Sequence, residues 1–101
     1  MDQIEIYEVG AVLDTATSSS EQQKILALFE KSNAIALDLS HCTYVSSAGL
    51  RVMLYSYKMA KAKDGRLDLV GVSDEIRDVM AMTGFDKFFK FYQTVEECIN
   101  Q

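Results

Sequence analysis

Apolar and polar residues along the chain follow two periods, which together predict strands that alternate with helices. The segment IEIYEV (4–9) alternates β-branched or aromatic side chains with acidic ones, as a strand does, and AVL (11–13) prolongs it past Gly10 through a bulge. The apolar segment AIALDL (34–39) predicts a buried central strand. Two further strands are predicted at LDLVGV (67–72) and FFKFY (88–92).

Helical periodicity and capping residues predict four helices between and after these strands. One covers 18–31 and follows the hydroxyl-rich segment TATSSS, and the strongest covers 47–62. A third begins after Ser73 and ends at Gly84. The last, over 94–100, starts with a T-x-x-E capping box. Strands that alternate with helices predict an α/β fold, and 101 residues suit one domain over 1–101.

Composition and charge exclude several classes of function. The formal net charge of −5 leaves no basic surface for a phosphate backbone, so we expect no nucleic-acid partner. No apolar run is long enough to insert into a membrane, and the N-terminus lacks a signal-peptide pattern, so we expect a cytoplasmic protein. His41, Cys42 and Cys98 are too few for a structural zinc site, and both cysteines are expected to be buried thiols. No metal or cofactor is predicted.

The helix over 47–62 carries two different faces. Gly49, Leu50, Met53, Tyr57 and Ala60 lie on one side, which is expected to face the sheet. Ser47, Arg51, Tyr55 and Lys58 are spaced four, four and three apart and share the opposite, solvent-facing side. This second face is either an ordinary solvated surface with one exposed tyrosine or a surface that docks a protein.

Two serines stand at the start of that helix. Ser46 is expected to be its N-cap. A phosphate on Ser47 would carry about −1.5 to −2 charges at a helix N-terminus, where anions are favoured, so it would change the surface without melting the helix. A hydrolase built from Ser47, His41 and Asp38 would crowd its triad into ten residues and lacks a G-x-S-x-G elbow. We therefore expect no enzyme.

Several segments together resemble the STAS domain family, and within it the bacterial anti-sigma factor antagonists. The segments are LDTAT (13–17), LDLSHCTYVSSAGL (37–50), GRLDLVGVS (65–73) and MTGFDKFFKFYQTVEE (82–97). The resemblance covers about residues 10–99, and VSSAGL is similar to the family's signature region. It implies a STAS-like mixed β-sheet of four to five strands in a single layer, packed with about four α-helices.

The resemblance also implies a partner-switching function. In that family a serine at the start of the helix is phosphorylated by an anti-sigma factor, itself a serine kinase, and a metal-dependent phosphatase removes the phosphate. The unphosphorylated antagonist binds the anti-sigma factor and frees the sigma factor for transcription. By motif position the phosphoacceptor is Ser47, with Ser46 as its rival. The implied partner-binding residues are Asp14, Ser46, Ser47, Arg51, Tyr55 and Lys58.

Two departures from the family pattern lead to further expectations. Ser46 stands where most relatives have Asp, which removes a charge from the partner interface. Most relatives also have a strand before the one at 4–9, so we expect 4–9 to be an edge strand through which two copies can pair as a homodimer. The alternative function is an accessory subunit of a membrane transporter for lipids or anions, and a serine at position 47 favours the switch.

Overall fold

The computed structural model describes residues 4–101, in which short strands and helices follow one another with few intervening residues. In chain order the elements are β1 (Glu5–Glu8), β2 (Val12–Leu13), α1 (Thr15–Phe29), β3 (Ala34–Asp38), β4 (Tyr44–Val45), α2 (Ser47–Ala62), β5 (Arg66–Val70), α3 (Asp74–Thr83), a 3-10 helix (Phe85–Phe88), β6 (Lys90–Tyr92) and α4 (Val95–Asn100).

Four strands form the main sheet in the order β1-β3-β5-β6. The predicted α/β class, with one sheet and four α-helices, is confirmed. The expected mixed strand directions are wrong for residues 4–101, because every strand pair described there is parallel. Helical crossovers join β1, β3 and β5, and such connections return the chain to the same edge and so produce parallel neighbours.

The core lies on both faces of this sheet, which explains why all five residues of β3 are buried. Ile35 and Leu37 belong to the main apolar cluster, to which α1, α2 and α3 also contribute. Ala36, which points the other way, packs in a smaller cluster with Val70 and with Cys98 of α4. Three helices therefore cover one face of the sheet and α4 covers part of the other.

The predicted edge strand is confirmed as β1, which pairs only with β3 among the described strands. The prediction that 4–13 forms one bulged strand is wrong. The Val9 amide still donates to the Asp38 carbonyl at 2.9 Å, but beyond Gly10 the Ala11 carbonyl accepts from Thr43 instead. β2 therefore leaves the main sheet and pairs in parallel with β4. Whether a strand precedes β1 is a question for residues before 4, which lie outside the described part.

The first helix begins three residues earlier than predicted, at Thr15, because Asp14 rather than a downstream hydroxyl is its N-cap. The predicted range of α2 is confirmed at Ser47–Ala62. Ser73 caps α3, and Gly84 ends it with the left-handed φ of 79°. The final predicted strand starts later, at Lys90, because Phe85–Phe88 form a 3-10 turn.

Candidate functional site

Two helix N-termini lie side by side because the short strands that precede them are paired. In the β2–β4 ladder Leu13 is the register partner of Val45, and each residue directly precedes an N-cap. The Ser46 amide donates to the Leu13 carbonyl at 3.0 Å, which ties the start of α2 to the end of β2. Asp14 and Ser46, predicted as parts of one site, are thus brought together by this ladder.

The Asp14 side chain is held by the helix that it caps. Its Oδ1 accepts from the amides of Ala16 at 3.0 Å and Thr17 at 3.1 Å. The Thr17 hydroxyl in turn accepts from the Asp14 amide at 3.0 Å, which completes a capping box. The half-buried carboxylate therefore has a fixed orientation, and its first role is to stabilise the start of α1.

The structure places the two serines of the motif in different environments. Ser46 is half-buried, and its Oγ accepts from the Gly49 amide at 3.4 Å, so the predicted N-cap is confirmed. Ser47 is the first residue of α2 and is exposed to solvent. Its hydroxyl can reach another molecule, whereas the hydroxyl of Ser46 is engaged in capping.

Gly49 lets α2 lie against β2 and β4. A Cβ atom at this position would stand 2.4 Å from the Leu13 carbonyl oxygen and 2.9 Å from a methyl carbon of Val45. The first of these atoms is backbone and cannot swing aside. Only glycine permits so close an approach, and this approach keeps the two helix N-termini adjacent.

The solvent-facing stripe of α2 is confirmed as exposed at all four predicted positions, Ser47, Arg51, Tyr55 and Lys58. Tyr55 keeps 43% of its surface accessible. Within residues 4–101 neither Arg51 nor Lys58 forms an ion pair. The stripe thus offers an aromatic ring between two uncompensated cations.

The buried part of α2 is wider than the sequence predicted, because α1 packs beside it. Val52 and Ser56 are buried in addition to the predicted sheet-facing residues, and the Ser56 hydroxyl donates to the Val52 carbonyl at 2.8 Å. Sequence periodicity gave no sign of this second contact, because one of the two side chains is polar. The exposed stripe is accordingly narrow.

Two exposed apolar side chains next to the site were not predicted. Val12 and Tyr44 are register partners in the β2–β4 ladder and are 37% and 55% exposed. Leu13 and Val45, one position further along each strand, point inward and are buried. Strands of two residues are too short to show an alternation, so no sequence signal separates the outer pair from the inner one.

The other sequence-based candidates can now be placed. His41 is exposed, and Asp38 accepts from the Ser40 amide at 2.9 Å, so no hydrogen bond in residues 4–101 joins His41, Asp38 and Ser47 into a triad. The same residues contain no cluster of His, Cys, Asp and Glu that could hold a metal ion. Cys42 and Cys98 are buried free thiols, and burial raises the pKa of both. No helix in the described part is long and apolar enough to cross a bilayer.

Comparison with known proteins decides the family. A family model described as "STAS domain" matches residues 1–98. The chain belongs to the STAS domain family. It is 31% identical over 93 residues to "Putative anti-sigma factor antagonist BtrV" of Bordetella bronchiseptica, a match that covers 88% of this chain and 80% of that protein.

Solved structures show the same STAS fold. A protein of Thermotoga maritima described as a putative anti-sigma factor antagonist superposes with a TM-score of 0.88 at 21% identity, covering 100% of this chain and 91% of that one. A sulfate transporter family protein of Wolinella succinogenes gives 0.84 at 16% identity, with 96% and 82% covered. The phosphorylated form of the Bacillus cell fate determinant SpoIIAA gives 0.75 at 22% identity, with 99% and 91% covered. At these identities the likeness is one of fold.

Proposed function

We propose that this STAS protein is an anti-sigma factor antagonist that binds an anti-sigma factor through the exposed stripe of α2 and is switched off by phosphorylation of Ser47. The observation that carries the proposal is the exposure of Ser47 at the N-terminus of α2, in line with the unpaired Arg51 and Lys58. A relative that is 31% identical and bears the name of such an antagonist supports it.

The unmodified stripe suits a partner surface that carries acidic groups. Arginine and tyrosine are enriched in protein interfaces, and the ring of Tyr55 supplies apolar area between the two cations. The adjacent pair Val12 and Tyr44 adds exposed apolar surface. Asp14 contributes by holding α1 beside α2, and its capping bonds leave its outer side at the rim of the site.

A phosphate on Ser47 would alter this surface while preserving the fold. It would stand at the first turn of α2, whose unpaired amides and dipole favour an anion. Arg51 lies four residues further along the helix, within reach of the phosphate. An intramolecular pair between them would withdraw one cation from the partner and present about two negative charges to its acidic groups.

The finer parts of the proposal follow from this switch. The partner is an anti-sigma factor with serine kinase activity, a metal-dependent phosphatase restores the binding form, and the readout is transcription by a sigma factor in the cytoplasm. Ser46 is the less suitable acceptor, because its hydroxyl caps the helix and is half-buried. The open edge of β1 is where we propose that two copies pair, and a light-scattering mass that stays monomeric as concentration rises would exclude that dimer.

The decisive experiment measures binding of the purified chain to its genomically neighbouring anti-sigma factor by calorimetry. We expect Ser47→Asp to weaken binding at least tenfold, whereas Ser46→Ala and the charge-matched control Asn100→Asp, on α4 behind the sheet, leave it within about twofold. Incubation with kinase and ATP, followed by peptide mass spectrometry, should place the phosphate on Ser47.

Two outcomes would contradict the switch. If Ser47→Asp binds as tightly as the wild type, the charge at this position does not control the partner. If the chain binds no anti-sigma factor and instead copurifies with a transport ATPase or anion carrier, the alternative of a transporter accessory subunit replaces the proposal. The structural likeness to a sulfate transporter family protein makes that second outcome worth measuring.

A further inference from the structure

We propose that a cleft at the opposite end of α2 from Ser47 binds a small oxyanion, a carboxylate or a phosphate, carried on a planar apolar body. The cleft has a volume of ≈ 300 Å³ and lies between the last turn of α2, the start of β5 and the segment from the 3-10 helix to β6. The side chains that decide its chemistry are Tyr57, Lys61, Arg66, Asp68, Phe88 and Lys90.

Arg66 is oriented by a buried acid and keeps donors for a ligand. The Asp68 side chain is 3% exposed as a residue, and its Oδ2 accepts from Nε of Arg66 at 2.8 Å and also pairs with Nη2. Nη2 lies 3.5 Å from the Cys98 carbonyl oxygen as well. A guanidinium has five N–H donors, so the outer edge formed by Nη1 and Nη2 still faces the cleft.

A neutral group now occupies that outer edge. The amide oxygen of Gln101, assigned from the donors around it, accepts from Nη1 and Nη2 of Arg66, each at 2.8 Å, while its amide nitrogen donates to the Tyr92 hydroxyl at 3.1 Å. An oxygen that bridges both terminal nitrogens of an arginine is the position preferred by a carboxylate or phosphate oxygen. Because Gln101 is exposed and follows the end of α4, an oxyanion can displace it.

The charges that line the cleft also favour an anion. Lys61, Arg66 and Lys90 face one acid, Asp68, which gives a local charge of +2 in a chain whose net charge is −5. Within the described residues neither lysine forms an ion pair with an acid. Cations gathered around a concave surface raise the local concentration of anions.

The walls of the cleft indicate what the oxyanion is attached to. The rings of Tyr57 and Phe88 lie 5.4 Å apart at 51°, and Phe88 is 45% exposed. Two aromatic faces open to solvent next to three cations suit an apolar, flat group with a charged end. Inorganic phosphate alone would leave those rings in contact with water.

The cleft is separate from the proposed partner surface. Lys61 follows Ser47 by fourteen positions on one helix, a distance of about 21 Å along the axis. A ligand here would leave the N-terminus of α2 accessible, so its binding can be measured whether or not the proposed switch operates.

The experiment titrates the ¹⁵N-labelled chain with 1-naphthyl phosphate, 1-naphthoate, the neutral 1-naphthylmethanol and inorganic phosphate. We expect saturable shifts confined to residues around Arg66 for the two aryl anions, and binding at least tenfold weaker for the alcohol and for inorganic phosphate. The two aryl anions distinguish a phosphate ligand from a carboxylate ligand. Absence of saturable shifts up to about 5 mM, or equal binding of the alcohol, would overturn the proposal.

Variants test the assignment of groups. Lys61→Gln and Lys90→Gln should each weaken binding about two- to fivefold, as expected for one partly exposed ion pair. Gln101→Ala should tighten it about two- to threefold, because the competitor for Arg66 is removed. Lys24→Gln, which removes the same charge from α1, and Ser47→Asp should leave affinity unchanged. Equal weakening by Lys24→Gln, or no tightening by Gln101→Ala, would contradict the site.

Discussion

Replacing Gly49 by alanine probes the contact that holds the candidate site together. The new Cβ would stand 2.4 Å from the Leu13 carbonyl oxygen and 2.9 Å from both Leu13 Cγ and Val45 Cγ1. Ordinary contacts of this kind lie at 3.4–4 Å, so α2 would have to retreat by roughly 1 Å from the β2–β4 ladder. The Ser46 amide bonds to the same Leu13 oxygen at 3.0 Å, and the retreat would stretch this hydrogen bond as well.

The sign of the effect follows from comparing the terms. In a helix free of contacts, replacing glycine by alanine stabilises the helix by about 1 kcal/mol. Overpacking against a fixed backbone atom costs up to about 3 kcal/mol, and weakening one hydrogen bond costs about 1 kcal/mol more. We therefore expect Gly49→Ala to lower the free energy of unfolding by about 2–3 kcal/mol.

Urea denaturation followed by circular dichroism measures this loss. With a denaturant slope typical of small domains, the midpoint should fall by about 1–2 M with the slope unchanged. Gly10→Ala is the matched control, because nothing lies within 4 Å of a Cβ at that position and its amide remains free to donate to Glu21. We expect Gly10→Ala to be neutral or to stabilise by up to about 1 kcal/mol. A Gly49→Ala variant as stable as the wild type would refute the close-approach argument.

Three further predictions concern buried polar groups. Tyr7→Phe removes a 2.6 Å hydrogen bond to the buried Glu21 and should cost about 1–3 kcal/mol in urea denaturation, while Tyr55→Phe, on the exposed stripe, should cost nothing measurable. Arg66→Gln leaves the buried Asp68 without its partner, and because Arg66 is partly exposed we expect a loss of about 1–3 kcal/mol; an unchanged midpoint would show that the pair is not stabilising. Burial, and then the charge of Asp68, raises the pKa of the Cys98 thiol, so the unfolded chain loses this proton first; stability should decline as pH rises above about 8.5, and a Cys98→Val variant should decline less steeply.

The sequence by itself determined the features that depend on neighbouring residues along one helix. The range of α2, its N-cap at Ser46 and its exposed stripe were predicted correctly, because spacing of three and four residues fixes which side chains share a face. The caps at Ser73 and Gly84 were predicted for the same local reason. The STAS resemblance added the order of the segments and pointed to Ser47.

Only the tertiary structure decided the features that join distant segments. The pairing of β2 with β4 splits the first predicted strand and makes Asp14 a helix cap beside Ser46, and a two-residue strand carries no period that could have announced it. The packing of α1 against α2 narrows the exposed stripe. The cleft around Arg66 likewise gathers side chains from α2, β5 and β6. Such contacts depend on which elements the sheet order places next to one another, and that order is set by the packing of the whole core rather than by any local stretch of residues.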